Sequence, residues 1–178
     1  VADLLVLPSI NEHRSDLDID VLAGCKYCLL GSEYQESVPP TVDSEVNKIL
    51  VTFGMFDSMN CTSTVLNALD RLKYSGQVTV LAGNAFPHLD DLNDLVKKTS
   101  FMTKLVTQTL GTSDYVKQSD FVIGSGGQGL IERMALGRPS LTIVSAENQI
   151  GQVAFMESKG GTQMLHRESN DFTHSLSI

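Results

Sequence analysis

From Lys48 onward the sequence alternates between two periodicities, and this restricts the possible folds more than any other feature of the chain. "KILVTFG" is a continuous apolar run, as expected of a strand buried on both faces. "CTSTVLNALDRLK" follows, with Val65, Leu66, Leu69 and Leu72 at helical spacing and Thr62 or Ser63 placed to cap its start. The same pairing recurs in "QVTVLAG" with "HLDDLNDLVKK", where Leu89, Leu92, Leu95 and Val96 share a helical face. "MTKLVTQT" pairs with "TSDYVKQS", "DFVIG" with "GLIERMAL", and "PSLTIVS" with "NQIGQVAFMESKG", before a last short strand, "TQML". Strand and helix thus alternate about five times with short connections. Parallel strands need crossovers, so the pattern predicts an α/β fold: a Rossmann-like, doubly wound, mostly parallel sheet with helices on both faces.

The first part of the chain reads differently. Leu4 to Leu7 is a short apolar strand, Tyr27 to Leu30 a second short run, and Pro39-Pro40 with "TVDSEVNK" a linker. These features set a boundary near Val46: residues 1–46 form an N-terminal connecting arm, the end of another domain, and 47–178 the Rossmann-like domain. The chain begins at Val1 and stops within a segment, "SNDFTHSLSI", that reads as a helix, so a longer parent protein is expected.

Composition removes several functions. The net charge is −8 with no Lys/Arg cluster, and a nucleic-acid backbone needs a concentrated basic surface. A mononucleotide remains possible, because backbone N–H groups hold phosphate whatever the net charge. No apolar run reaches the length of a membrane span. Three cysteines, Cys25, Cys28 and Cys61, suit a reducing compartment, and a cytoplasmic protein is expected. Cys25 and Cys28 have C-x-x-C spacing, but no second pair completes a zinc site, and in an extended "KYCLLG" they would face opposite ways. Neither a metal nor a cofactor is expected.

The densest functional signal is "DFVIGSGGQGLIERMALGRPSLTIVSAENQ". Gly124, Ser125, Gly126, Gly127, Gln128 and Gly129 fit G-x-G-x-x-G and lie between a strand and a helix that Gly137 and Pro139 close. In a doubly wound sheet ligands bind beyond the carboxyl ends of the strands, where glycines let the backbone and the first free N–H groups of a helix meet a phosphate. A tight turn needs one or two glycines, and this loop has four. A dinucleotide site would add an acid about twenty residues on, and Glu147 is in range, but that fingerprint belongs on the first strand of its sheet. A mononucleotide site would instead use Glu132, with Leu130, Ile131, Met134 and Ala135 on the buried side and the carboxylate free to accept hydrogen bonds from a ribose diol. The bland alternative for Glu132 is a solvated helix charge.

A second glycine-bearing turn, "FGMFDSMNCT", contains Gly54, Asp57 and Asn60. It reads equally as ligand loop or as turn chemistry with helix capping. In a parallel sheet this loop, the glycine loop and "SAENQ" emerge on one edge, and three polar loops together form a candidate ligand site.

These motifs carry a resemblance. "G-x-KY-x-LL", "ILVTFG-x-x-D-x-x-N-x-T", "SDFVIGSGG-x-x-x-x-E-x-x-x-LG-x-P" and "A-x-NQ" together resemble the C-terminal half of the UDP-sugar hydrolase family of pseudaminic acid biosynthesis. That family is related to glycosyltransferases of the two-domain GT-B fold, including the peptidoglycan N-acetylglucosaminyltransferase. The resemblance implies the C-terminal domain of a GT-B fold, a UDP-sugar as ligand, a missing N-terminal domain as partner, and a role in bacterial surface-sugar (nonulosonic acid type) biosynthesis. It implies that Gly124, Ser125, Gly126 and Gly127 take the diphosphate and Glu132 the ribose. Asn148 and Gln149 would lie near the sugar, and Gly54, Asp57 and Asn60 would form the first loop of the site. Met55, Phe56, Ser58, Ile131 and Gly31 depart from the family pattern. The family's catalytic histidine, in a "G-x-GH-x-x-R" motif, has no counterpart among His13, His88, His166 and His174. A glycosyltransferase and a non-catalytic nucleotide-sugar-binding module remain the alternatives.

Overall fold

A computed structural model describes residues 3–7, 18–35, 45–83, 86–107 and 111–165. His13, the Pro39-Pro40 linker, His166, His174 and the expected C-terminal helix lie outside the described residues. The described strands are β1 (Leu4–Leu7), β2 (Asp20–Ala23), β3 (Lys48–Thr52), β4 (Gln77–Leu81), β5 (Met102–Val106), β6 (Phe121–Ser125), β7 (Ser140–Ile143) and β8 (Gln163–Leu165). The helices are α1 (Cys61–Arg71), α2 (Leu89–Val96), α3 (Ser113–Gln118), α4 (Gln128–Ala135) and α5 (Ile150–Ser158).

Six strands form one parallel sheet in the order β5-β4-β3-β6-β7-β8. Counted from β3, this is the strand order of the doubly wound dinucleotide folds, whose order reverses between the first and fourth strands. The reversal here falls between β3 and β6. The predicted α/β class and each predicted element from Lys48 to Leu165 are therefore present.

The apolar runs of the strands are explained by burial on both faces. Ile49 and Val51 enter a core with Val65, Leu66, Leu69 and Leu92. Leu50, one residue out of phase, joins Val116, Val122 and Leu136 in a second core. A third cluster joins Leu130 and Ile131 of α4 to Val153 and Met156 of α5. Each such fully buried side chain contributes roughly 1.5–3 kcal/mol. Gly137, at φ 64, ends α4: its N–H bonds Met134 O at 2.9 Å and the Arg138 N–H bonds Arg133 O at 3.1 Å. No helix among the described residues is long and apolar enough to cross a membrane.

Two expectations need correction. Tyr27 to Leu30 is not a strand; the second strand of the arm is β2, which pairs in parallel with β1. Gly24, at φ 105, breaks the chain after β2, and the Tyr27 N–H closes on Gly24 O at 3.0 Å, making Cys25–Tyr27 a 3-10 turn. The extended backbone assumed around the two cysteines is therefore absent at Cys25–Tyr27. Neither Thr62 nor Ser63 caps α1; Asp57 does, as described below. Residues before Lys48 also join this packing: Tyr34 and Leu30 enter the second core, and the Lys117 ammonium bonds Glu33 O at 2.9 Å.

Candidate functional site

Strands β3, β6 and β7 are adjacent and parallel, with Thr52 beside Gly124 and Ser125 beside Ile143. Their three following loops thus emerge on one edge, at the reversal of strand order where such sheets bind ligands.

In the first loop, Gly54 (φ 80) turns the chain and leaves Met55 and Phe56 exposed. Asp57 folds back and is buried: its Oδ1 accepts the Cys61 N–H and its Oδ2 the Thr62 N–H, each at 2.8 Å. Both carboxylate oxygens therefore cap α1, the helix-end alternative noted for this turn. Asn60 sits in the left-handed region at φ 51, donates its N–H to Asp57 O at 2.8 Å, and has a buried Oδ1 with no partner among the described residues.

The second loop is built differently. A Cβ on Gly124 would stand 2.8 Å from Arg133 Nη1, and one on Gly126 would overlap Val153 Cγ2, so packing requires both glycines. Gly127 and Gly129 have room for a Cβ, with nearest neighbours at 3.8 and 3.6 Å. At the start of α4 the Leu130 N–H bonds Gly127 O at 3.0 Å. The N–H groups of Gly127, Gln128 and Gly129 have no acceptor among the described residues, and no side chain caps this helix. A helix start left in this way presents partial positive charge to an anion.

Glu132, on the second turn of α4, is not solvated as an isolated helix charge would be. Its Oε2 accepts hydrogen bonds from the Tyr34 and Thr112 hydroxyls, each at 3.2 Å, and those hydroxyls are 2.8 Å apart. Burial, reinforced by the Glu132 charge against the opposing Thr112 hydrogen bond, pushes the Tyr34 phenol above its ordinary pKa, so it donates at neutral pH. Among the described residues nothing donates to Oε1, which leaves that oxygen for a ligand hydroxyl.

Arg133 was not anticipated. Leu130, Ile131 and Arg133 are the buried residues of α4, whereas Met134 and Ala135 are half-buried. Its guanidinium lies behind the glycine loop at 1% exposure and donates from Nη2 to Ser125 O and Thr142 Oγ1, each at 3.1 Å. Its Nε has no partner among the described residues, and the described ion pair is the surface contact Lys97–Asp94, so no described carboxylate touches Arg133. Burial lowers its pKa to about 10, with Glu132 opposing, and it remains a cation at neutral pH. An isolated buried charge costs several kcal/mol unless something compensates it. The available signal was Gly124, where a Cβ would stand 2.8 Å from Arg133 Nη1, so the glycine leaves room for the guanidinium.

The third loop supplies Gln149 and Ser145. Gln149 Oε1 accepts the Gly126 N–H at 3.2 Å, the Ser145 N–H at 3.0 Å and the Ser145 hydroxyl at 3.1 Å. Gln152 Nε2 donates to Gly126 O at 2.8 Å and Gly127 O at 3.2 Å, fastening the glycine loop to α5. Asn148 and Glu147 are exposed on the 3-10 turn that precedes α5. Gly124, Ser125, Gly126, Gly127 and Gln149 are thus in contact or adjacent, with Glu132 on the following turn. Gly54, Asp57 and Asn60 share the edge but form their own compact turn. Arg133, Tyr34 and Thr112 are polar contributors with no local signal in the sequence, whereas Ser145 belongs to the polar loop "SAENQ".

No family model matches the chain. In sequence it is 29% identical over 132 residues to the uncharacterized protein MJ1062 of Methanocaldococcus jannaschii, covering 71% of this chain and 27% of that protein. In structure it is similar to MurG of Acinetobacter baumannii, with a TM-score of 0.61 and 12% identity over 77% of this chain and 39% of that one. It is also similar to the glycotransferase of kitacinnamycin, with a TM-score of 0.59 and 15% identity over 93% of this chain and 42% of that one. The chain therefore spans about a quarter of the curated relative and about two fifths of these solved chains. Its fold is α/β and Rossmann-like, matching GT-B glycosyltransferase domains.

Proposed function

We propose that this chain is the nucleotide-sugar-binding half of a GT-B-type enzyme, that its ligand is a UDP-sugar, and that the parent protein cleaves that ligand as the hydrolases of pseudaminic acid biosynthesis do. Residues 1–46 are then the end of the N-terminal domain with the crossing segment, and 47–178 the domain that holds the nucleotide. The observation that carries this reading is the uncapped start of α4, three N–H groups without described acceptors, one turn before a carboxylate with an oxygen to spare. The diphosphate lies against Gly126 to Gly129, Glu132 Oε1 accepts a ribose hydroxyl, and Asn148 and Gln149 face the sugar. Asp57 supports the first loop through its cap rather than through the ligand.

On this reading the residues of this edge bind and orient the ligand. The catalytic base is assigned to the missing N-terminal domain. Glycosyl transfer to an acceptor uses the same half-site, and the fold likeness to glycosyltransferase domains favours it equally. The two differ in whether water or a sugar hydroxyl takes the glycosyl group in the full-length protein.

Calorimetric titration with UDP, with NAD as the control, tests the binding reading. UDP binds and NAD does not, and Glu132→Ala weakens UDP by about tenfold, the loss of a charge-assisted hydrogen bond. NAD binding with UDP silent, lost on Glu147→Ala instead, would mean that the glycine pattern is a dinucleotide fingerprint after all.

A further inference from the structure

We propose that the carboxyl edge of the sheet contains a preformed hole for a phosphoryl oxygen, made by the Gly126 N–H, the Ser145 N–H and the Ser145 hydroxyl, backed by Arg133 and plugged by the protein's own Gln149. Three donors converge on Gln149 Oε1, at 3.2, 3.0 and 3.1 Å. An amide oxygen is neutral and has two lone pairs. Three donors aimed at one point fit a phosphoryl oxygen better, since it carries formal negative charge and forms stronger, charge-assisted bonds. Gln149 Oε1 stands in for that oxygen.

The buried cation gives the hole its polarity. Arg133 Nη2 donates to Ser125 O at 3.1 Å. The Ser125–Gly126 peptide is trans, so its N–H points away from its carbonyl, towards the hole. A guanidinium on the carbonyl polarises that peptide and makes the Gly126 N–H a stronger donor. A negative charge in the hole in turn compensates a cation that has no described carboxylate in contact. Gln152 holds the carbonyls of Gly126 and Gly127, so the loop stays in place when the plug leaves.

The ligand class is a phosphate ester or diphosphate. Its identity as the diphosphate of a nucleotide-sugar rests on the reading above, which the hole deepens: Gln149 is displaced by the phosphate and freed to turn to the sugar. Phosphate binding and sugar contact are thereby coupled through one side chain.

The test is calorimetric titration of this chain with inorganic pyrophosphate and, separately, with uridine, on wild type, Gln149→Ala, Gln149→Glu and Ser145→Ala. Removing the plug strengthens pyrophosphate binding about fivefold, while the near-isosteric Gln149→Glu fills the hole with a carboxylate and weakens it more than tenfold. Ser145→Ala weakens it about tenfold, and uridine binding is the same in all four proteins. Pyrophosphate binding in Gln149→Ala equal to or weaker than wild type overturns the hole. If the pyrophosphate pattern holds and uridine does not bind, the hole stands and the nucleotide reading falls. If uridine binds and pyrophosphate ignores Gln149, the nucleotide reading stands and the hole falls; if neither binds, both fall.

Discussion

The loops that follow β3 and β6 come from neighbouring strands and resemble each other in sequence, each a glycine with turn-forming residues before a helix. They resolve the same physical problem in opposite ways. A helix start has N–H groups that need acceptors. The first loop satisfies two of them internally, by burying the Asp57 carboxylate against Cys61 and Thr62. The second has no internal carboxylate, leaves the N–H groups of Gly127, Gln128 and Gly129 without a described acceptor, and buries a cation behind them. A glycine-rich strand-to-helix turn is therefore not itself evidence for a ligand. The two loops differ in whether a described carboxylate meets the N–H groups at the helix start.

The largest expected effect breaks the first loop. Asp57→Ala leaves two buried N–H groups without an acceptor and lowers unfolding free energy by about 2–3 kcal/mol in a denaturant titration. The folded variant binds UDP within about twofold of wild type. An unchanged midpoint together with lost UDP affinity would mean that the two loops do the same work.

A smaller effect separates the glycines of the second loop. Gly126→Ala forces a Cβ into Val153 and destabilises by about 1–3 kcal/mol, whereas Gly127→Ala has room and changes stability by less than about 0.5 kcal/mol. Equal costs at the two positions would show that the division into packing and open glycines is mistaken.

The smallest effect is a control remote from both loops. The Tyr74 phenol donates to Val46 O at 3.1 Å, and burial, with Asp120 adding to it, pushes its pKa up to about 12. The folded state holds the neutral phenol, so its contribution is present in full below about pH 10 and is lost as pH rises towards 12. Tyr74→Phe flattens this part of the alkaline limb of stability while leaving UDP affinity at neutral pH as it was. A UDP affinity that follows Tyr74 would couple the far side of the domain to the site.

How much was legible differed by length scale. Lys48 to Leu165 is legible element by element because apolar-rich strands alternate with helical spacing over short connections, most clearly in β3, β6, α1 and α2. The residues before Lys48 are less legible: nothing in the sequence marks β2, and the apolar run Tyr27 to Leu30 points to a strand that is absent. There the apolar runs are short, and the positive φ of Gly24 decides where the backbone turns. At the site, the glycine loop and Glu132 were visible because glycine spacing after a strand is a local signal. Tyr34 and Thr112, which lie 98 and 20 residues from Glu132, had no local signal at all.

The sequence alone determined the sheet, its parallel sense and the edge from which the polar loops emerge, because periodicity and crossover length are local properties that the chain carries along itself. Only the tertiary structure decided what each polar group faces. Asp57 became a cap for N–H groups four and five residues on, Arg133 a buried cation bonded to Ser125 O eight residues back, and Gln149 the acceptor of hydrogen bonds from Ser145, four residues back, and Gly126, 23 residues back. In a low-dielectric interior it is these partners, and not residue type, that set whether a polar group holds the fold together or waits for a ligand.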